Sequence, residues 1–189
     1  MSGTRTIIID GFLSRPWRWE PLRELLEQRV GPAQIWEYDS TGRATFEELA
    51  RRLIDRVRQS DSPVNLVGYS MGGLVARAAH VVDPDVPVRR AVFMNAPHAG
   101  SLLAYLLPLD GIRQMRPGSA FIKQVRSDRW AIPSLCVHNP LDTMVVPGSS
   151  TRWTSATECV SCAVPVHLYP IWSKRLHERI AAFLNGPEN

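Results

Sequence analysis

The chain has 189 residues, 44% hydrophobic and 21% charged, a length of about one domain with enough chain to bury a sizeable core. This composition excludes a disordered chain, and no apolar run reaches the roughly 18 residues of a membrane helix. The net charge of +4 comes from 22 basic residues, only two of them lysine (Lys123 and Lys174), scattered instead of clustered on one face as in a nucleic-acid binder.

The elements alternate. Residues 6–9 form a β-branched run that ends at Asp10-Gly11 and predicts a buried strand. Residues 16–26 predict a helix with Trp19, Leu22, Leu25 and Leu26 on one side, and residues 34–38 a second short strand. The clearest helix follows: Phe46, Leu49, Ala50, Leu53, Ile54 and Val57 recur at helical spacing opposite a charged face. Thr45, with Glu48 three residues on, fits a capping box. Residues 64–67 predict a strand buried on both faces, and 74–82 a helix that stops before Pro84. Strands are expected at 88–94, 132–138 and, more weakly, 159–164; a helix at 174–184 is stopped by Asn185-Gly186-Pro187. Strand alternating with helix implies an α/β fold, a mostly parallel sheet with helices on both faces. Residues 99–130 are too long for a bare connection; they supply either a crossover helix or a partly apolar flap over a site.

The densest chemical signal is Val64-Asn65-Leu66-Val67-Gly68-Tyr69-Ser70-Met71-Gly72-Gly73. A strand, then Gly-Tyr-Ser-Met-Gly, then a helix is the setting of a nucleophile elbow, which holds Ser70 on a strained turn. Gly68 and Gly72 let strand and helix approach on either side of it. The helix N-terminus favours developing negative charge.

On these residues the sequence resembles the α/β-hydrolase superfamily, in particular its minimal, lidless lipases and esterases, over nearly the whole chain. The resemblance implies one α/β-hydrolase domain over residues 1–189, with 99–130 as a small flap or crossover insertion. It implies an acid and then a histidine after the nucleophile. Of the five histidines, His167 lies between the last strand and the last helix, where the family carries its base. His98, in Asn95-Ala96-Pro97-His98-Ala99-Gly100-Ser101, resembles a segment that shapes the site. Asp142, in Asn139-Pro140-Leu141-Asp142-Thr143-Met144, resembles the family's acid; Asp110 and Asp128 are rivals. The oxyanion donors implied are the backbone N–H groups of Met71 and Phe12. The family more often carries His-Gly where this chain has Asp10-Gly11. A carboxylate there would oppose an oxyanion unless Asp10 points away or pairs with Arg15 or Arg18.

The expected activity is hydrolysis of carboxylic esters through an acyl-enzyme on Ser70, with Trp17, Tyr69, His98 and Leu102 near a small-molecule or lipid ester. A thioesterase or acyltransferase would use the same triad, as would a lipid amidase, and a binding module would need none of it. No cofactor or metal is expected: there is no helical His-Glu-x-x-His, and Cys159 and Cys162 lack a second pair. Both read as apolar residues of the last strand, with a local disulfide possible. Ile7-Ile8-Ile9 is too short for a signal peptide, so a cytoplasmic protein without stable membrane insertion is expected.

Overall fold

Six strands, β1 (Thr6–Ile9), β2 (Ala33–Ile35), β3 (Val64–Tyr69), β4 (Val88–Met94), β5 (Ser134–His138) and β6 (Glu158–Ser161), make one sheet in the computed structural model, which describes residues 3–186. Their order is β2-β1-β3-β4-β5-β6, and every neighbouring pair is parallel. A parallel pair needs a crossover over the sheet face, so both faces must be covered. One face carries α2 (Phe46–Arg58), α3 (Met71–Val82) and α5 (Ala120–Ser127), packed on Ile7, Ile9, Leu66, Phe93 and Cys136. The other carries α1 (Glu20–Arg29) and α7 (Lys174–Leu184), packed on Ile8, Val67, Val92, Met94 and Val137. Alternate residues of each strand thus feed two separate cores.

The chain steps outward from β1 to β2, returns over the other face to β3, then moves away through β4, β5 and β6. Winding reverses between β1 and β3. The loops that leave these two strands therefore part at the C-terminal edge of the sheet, where open α/β sheets form their ligand crevice.

Several boundaries differ from expectation for local reasons. The first helix divides into a 3₁₀ turn, Pro16–Trp19, and α1, whose first turn contains Pro21; proline lacks an N–H and is tolerated at a helix start. The β2 pairing ends at Ile35, after which Trp36 and Tyr38 stack with ring centroids 4.9 Å apart. β3 runs on to Tyr69 and α3 starts at Met71, so the elbow is tighter than the apolar pattern alone implies. β5 begins after Pro133, which cannot donate to the ladder. β6 ends at Ser161, leaving Cys162 beyond it. The capping box forms: Glu48 N–H donates to Thr45 Oγ1 (3.3 Å) and Thr45 N–H to Glu48 Oε2 (2.7 Å), a device worth about 1 kcal/mol. Pro187, the last residue of the expected helix stop, lies outside the described residues.

Residues 99–130 fold into a 3₁₀ turn and two short helices. The 3₁₀ turn Leu102–Tyr105 and the short helix α4 (Asp110–Gln114) stand at the C-terminal edge of the sheet, and α5 is the crossover that packs against α3. Cys159 pairs in register with Cys136, whereas Cys162 joins the core of the opposite sheet face. All three thiols are free. Among the described residues no helix is long and apolar enough to cross a membrane.

Candidate active site

Ser70 stands between β3 and α3 with φ 50° and ψ −122°, a backbone region that non-glycine residues rarely occupy. Such strain costs of order 1–3 kcal/mol and needs a surrounding framework to hold it. The framework is visible: Ser70 N–H donates to the Met94 carbonyl (2.8 Å), and Gly73 N–H donates back to the Ser70 carbonyl (3.1 Å). A Cβ on Gly68 would come within 2.6 Å of Gly73 Cα, and one on Gly72 would overlap the carbonyl oxygens of Ile9 and Asp10. The turn closes only without those side chains. Leu13 (φ 54°) and Asn95 (φ 49°) are the other non-glycine residues of positive φ among those described, and both follow strands at the same sheet edge.

His167 Nδ1 lies 2.6 Å from Asp142 Oδ2, a distance at which the ring N–H donates to the carboxylate. The other carboxylate oxygen accepts the N–H groups of Met144 and Val145, each at 2.8 Å. Asp142 has no solvent-exposed side-chain surface, so these donors replace its hydration. Three side chains anchor the two loops. Tyr69 Oη donates to the His167 carbonyl (3.0 Å), and Asn95 Nδ2 donates to the same oxygen (2.9 Å). Asn139, fully buried, donates to the Val164 carbonyl (2.7 Å) and accepts from Leu141 N–H (3.1 Å), stapling the acid loop to the histidine loop. Burial, reinforced by Asp142 and Asp10, pushes the Tyr69 hydroxyl far above its usual pKa and keeps it a neutral donor.

The loop after β1 folds around Asp10. Its carboxylate accepts Gly11 N–H (2.7 Å) and Arg15 N–H (2.8 Å), so it takes the main chain of Arg15 and neither guanidinium. Tyr38 Oη donates to the Asp10 carbonyl at 2.6 Å. A Cβ on Gly11 would lie 2.9 Å from Ser70 Cβ, which measures how closely this loop approaches the serine. The N–H groups of Phe12 and Met71 have no protein acceptor among the described residues, and both residues border the cavity that Ser70 opens into. Two free donors beside a serine can take up negative charge as it develops.

That cavity measures about 390 Å³, within the usual range for small-molecule sites. Ser70, His167 and Tyr69 line it; no hydrogen bond joins Ser70 Oγ to His167 in this structure. Its walls are apolar: Leu103, Ala104, Leu107, Ile112 and Met115 from residues 102–115, and Met144, Val145 and Leu168 from the acid and histidine loops. Leu102 lies outside this wall, half exposed, and so does Trp17, which is 70% exposed and stacks instead under the Arg18 guanidinium (5.8 Å). His98 is buried behind the site. Its Nδ1 accepts from Arg77 (3.3 Å), and its ring stacks on Trp153 (5.4 Å). Burial, with Arg77 beside it, holds its pKa well below the usual histidine value. His80 donates to Asp128 (2.9 Å) and His177 to the Pro170 carbonyl (3.0 Å). Asp110 sits exposed in α4, opposite Arg113. Of the five histidines only His167 lines the cavity. Among the described residues no three His, Cys, Asp or Glu side chains are grouped to hold a metal ion.

Sequence reasoning missed Asn95, Asn139 and the anchoring role of the Tyr69 hydroxyl. Asn139 had a faint signal, an Asn-Pro pair at a strand end, where Asn commonly bonds local backbone. The leucine wall had a signal only in bulk: sequence cannot say which leucines of a cluster turn inward.

A family model described as the alpha/beta hydrolase family matches residues 10–184. No curated protein matches the chain. Among solved structures, the Paleococcus ferrophilus monoacylglycerol lipase is 16% identical with a TM-score of 0.75, over 97% of this chain and 96% of its own. The mature Bacillus licheniformis lipase BlEst2 is 15% identical with a TM-score of 0.82, over 98% and 93%. A bromoperoxidase from Bacillus anthracis is 16% identical with a TM-score of 0.76, over 98% and 93%. Neighbours this distant share the fold, and they are named for different activities, so the chemistry must be argued from the site.

Proposed function

The chain belongs to the alpha/beta hydrolase family, and on that footing we propose that it is a serine hydrolase of carboxylic esters. The observation that carries this reading is the buried 2.6 Å contact between Asp142 and His167 at the wall of the cavity lined by the strained Ser70. A serine hydroxyl is a poor nucleophile until a base takes its proton. With Nδ1–H committed to Asp142, Nε2 of His167 is left as the acceptor, and Asp142 stabilises the imidazolium that forms.

Ser70 Oγ attacks the ester carbonyl carbon while His167 takes the hydroxyl proton. The oxyanion is received by the N–H groups of Met71 and Phe12, which have no protein acceptor among the described residues to give up. Collapse breaks the carbonyl–alkoxide bond, and His167 returns the proton to the leaving alcohol. The acyl group remains on Ser70. Water, activated by His167, then releases the acid and regenerates the serine. The apolar wall from residues 102–115 receives a short to medium acyl chain, and the reaction needs no metal or cofactor.

The test is hydrolysis of soluble chromogenic esters by the wild-type protein and by Ser70→Ala, beside an acyl-thioester of the same chain. Ester turnover that vanishes in the variant, with its circular dichroism unchanged, supports the reading. Undiminished turnover in Ser70→Ala, or turnover of the thioester alone, contradicts it.

A further inference from the structure

The residues that line the cavity are mostly apolar, with two cationic residues among them. Arg15 and Arg18 line it, and no carboxylate does among the described residues. Both come from the turn after β1 that also carries Phe12 and Gly11, and a Cβ on Gly11 would lie 2.9 Å from Ser70 Cβ. Neither guanidinium has an ion-pair partner among the described residues. The two nearby acids are already engaged. Asp10 accepts the main-chain N–H groups of Gly11 and Arg15, and Asp142 accepts His167, Met144 and Val145.

These two residues without an ion-pair partner line a predominantly apolar cavity; of the six arginines on α1 and α2, Arg23 pairs with Glu20 and Glu27, Arg51 with Glu47, and Arg58 with Asp83, whereas Arg29, Arg52 and Arg56 form no ion pair among the described residues. The turn that carries them is fixed: Arg15 N–H donates to Asp10, Arg18 N–H to the Arg15 carbonyl (3.0 Å), and the Arg18 side chain lies over Trp17. A planar guanidinium fork matches a phosphate or carboxylate and pre-organises its recognition.

We propose that the substrate is an anionic ester, with an apolar acyl chain against the leucine wall and a phosphate or carboxylate between Arg15 and Arg18. This rests on the serine-hydrolase reading for the reaction but not for the binding. In the reaction the acyl–oxygen bond breaks and water supplies the acid's hydroxyl, while the anionic group stays intact on its own fragment.

Binding is the deciding experiment, because it does not depend on turnover. Octyl phosphate and octanol, both below their aggregation thresholds, are titrated into the wild-type protein, and into an Arg15→Gln/Arg18→Gln double variant with unchanged circular dichroism. Octyl phosphate is expected to bind about tenfold or more tighter than octanol, and the double variant to lose most of that ratio. Competition by glycerol phosphate would identify the phosphate group as sufficient. Its failure to compete would identify a lipid-like anion whose chain and head group are both needed. Equal binding of the two octyl compounds by the wild-type protein, or an unchanged ratio in the double variant, overturns the proposal. Absence of ester hydrolysis by the wild-type protein, with its preference for octyl phosphate present and lost in the double variant, would instead count against the serine-hydrolase reading alone.

Discussion

The hydroxyl of Tyr69 donates to the main-chain carbonyl of His167 at 3.0 Å, tying the residue before the serine to the residue proposed as its base. The same carbonyl also receives Asn95 Nδ2, so Tyr69→Phe removes one of two anchors without emptying the space. Stability should fall by about 1 kcal/mol. Because small misplacements of a catalytic group are costly, kcat should fall about 10- to 100-fold with little change in KM. Steady-state kinetics on a soluble ester, with urea unfolding beside it, separates the two effects. An unchanged kcat in a destabilised variant would confine Tyr69 to a structural role.

Histidine burial makes stability depend on acid. His98 has its pKa held well below 6.5 by burial and by Arg77, so the folded state resists a proton that the unfolded chain accepts. Above about pH 6.5 both states are neutral at this ring and it adds no slope. As pH falls below that value, the unfolded state gains the proton first, and stability drops by up to about 1.4 kcal/mol per pH unit until the folded ring also titrates. His98→Gln should therefore give a shallower loss of urea-unfolding free energy between pH 7 and pH 5, whatever its stability at pH 8. A slope equal to wild type would assign the acid sensitivity elsewhere, His138 and His177 being the other histidines with lowered pKa.

The wall formed by residues 102–115 is fastened along its length. Leu102 N–H donates to the Val146 carbonyl (2.7 Å), Gly111 N–H to the Gly42 carbonyl (2.9 Å), Phe46 N–H to Gln114 Oε1 (2.7 Å), and Arg116 Nε to the Ala104 carbonyl (3.1 Å). A lid that opens would have to break several of these at once. We propose that this segment is a fixed wall and the enzyme needs no interface to become active. The rate on a medium-chain ester should then rise smoothly through the substrate's micelle threshold. A sharp jump there would make residues 102–115 a moving lid.

Much of this was legible in the sequence, for identifiable reasons. Residues 6–9 and 64–69 are buried on both faces, and such strands read as nearly continuous apolar runs, broken here only by Thr6, Asn65 and Gly68. The elbow was legible because only glycine tolerates the approach of α3 to β1 and β3. Asp142 and His167 could be named by resemblance, yet their 2.6 Å contact depends on Asn139, Asn95 and Tyr69, which come from three different strand ends. No local pattern encodes that convergence. Asp10 looked like a threat to an oxyanion, but it serves as the hub of its own turn, which only the folded loop reveals. Leu102 and Leu103 are alike in sequence, yet only Leu103 lines the cavity, because a 3₁₀ turn rotates about 120° per residue.

Labelling with a fluorophosphonate, followed by peptide mass spectrometry, reaches the central claim most directly. The reagent reacts with a serine only when a base and oxyanion donors activate it. A single adduct on the peptide carrying Ser70 is expected, strongly reduced in Asp142→Asn and His167→Ala and absent in Ser70→Ala. No adduct on the folded wild-type protein, or an adduct that persists in Ser70→Ala, would contradict a catalytic role for Ser70.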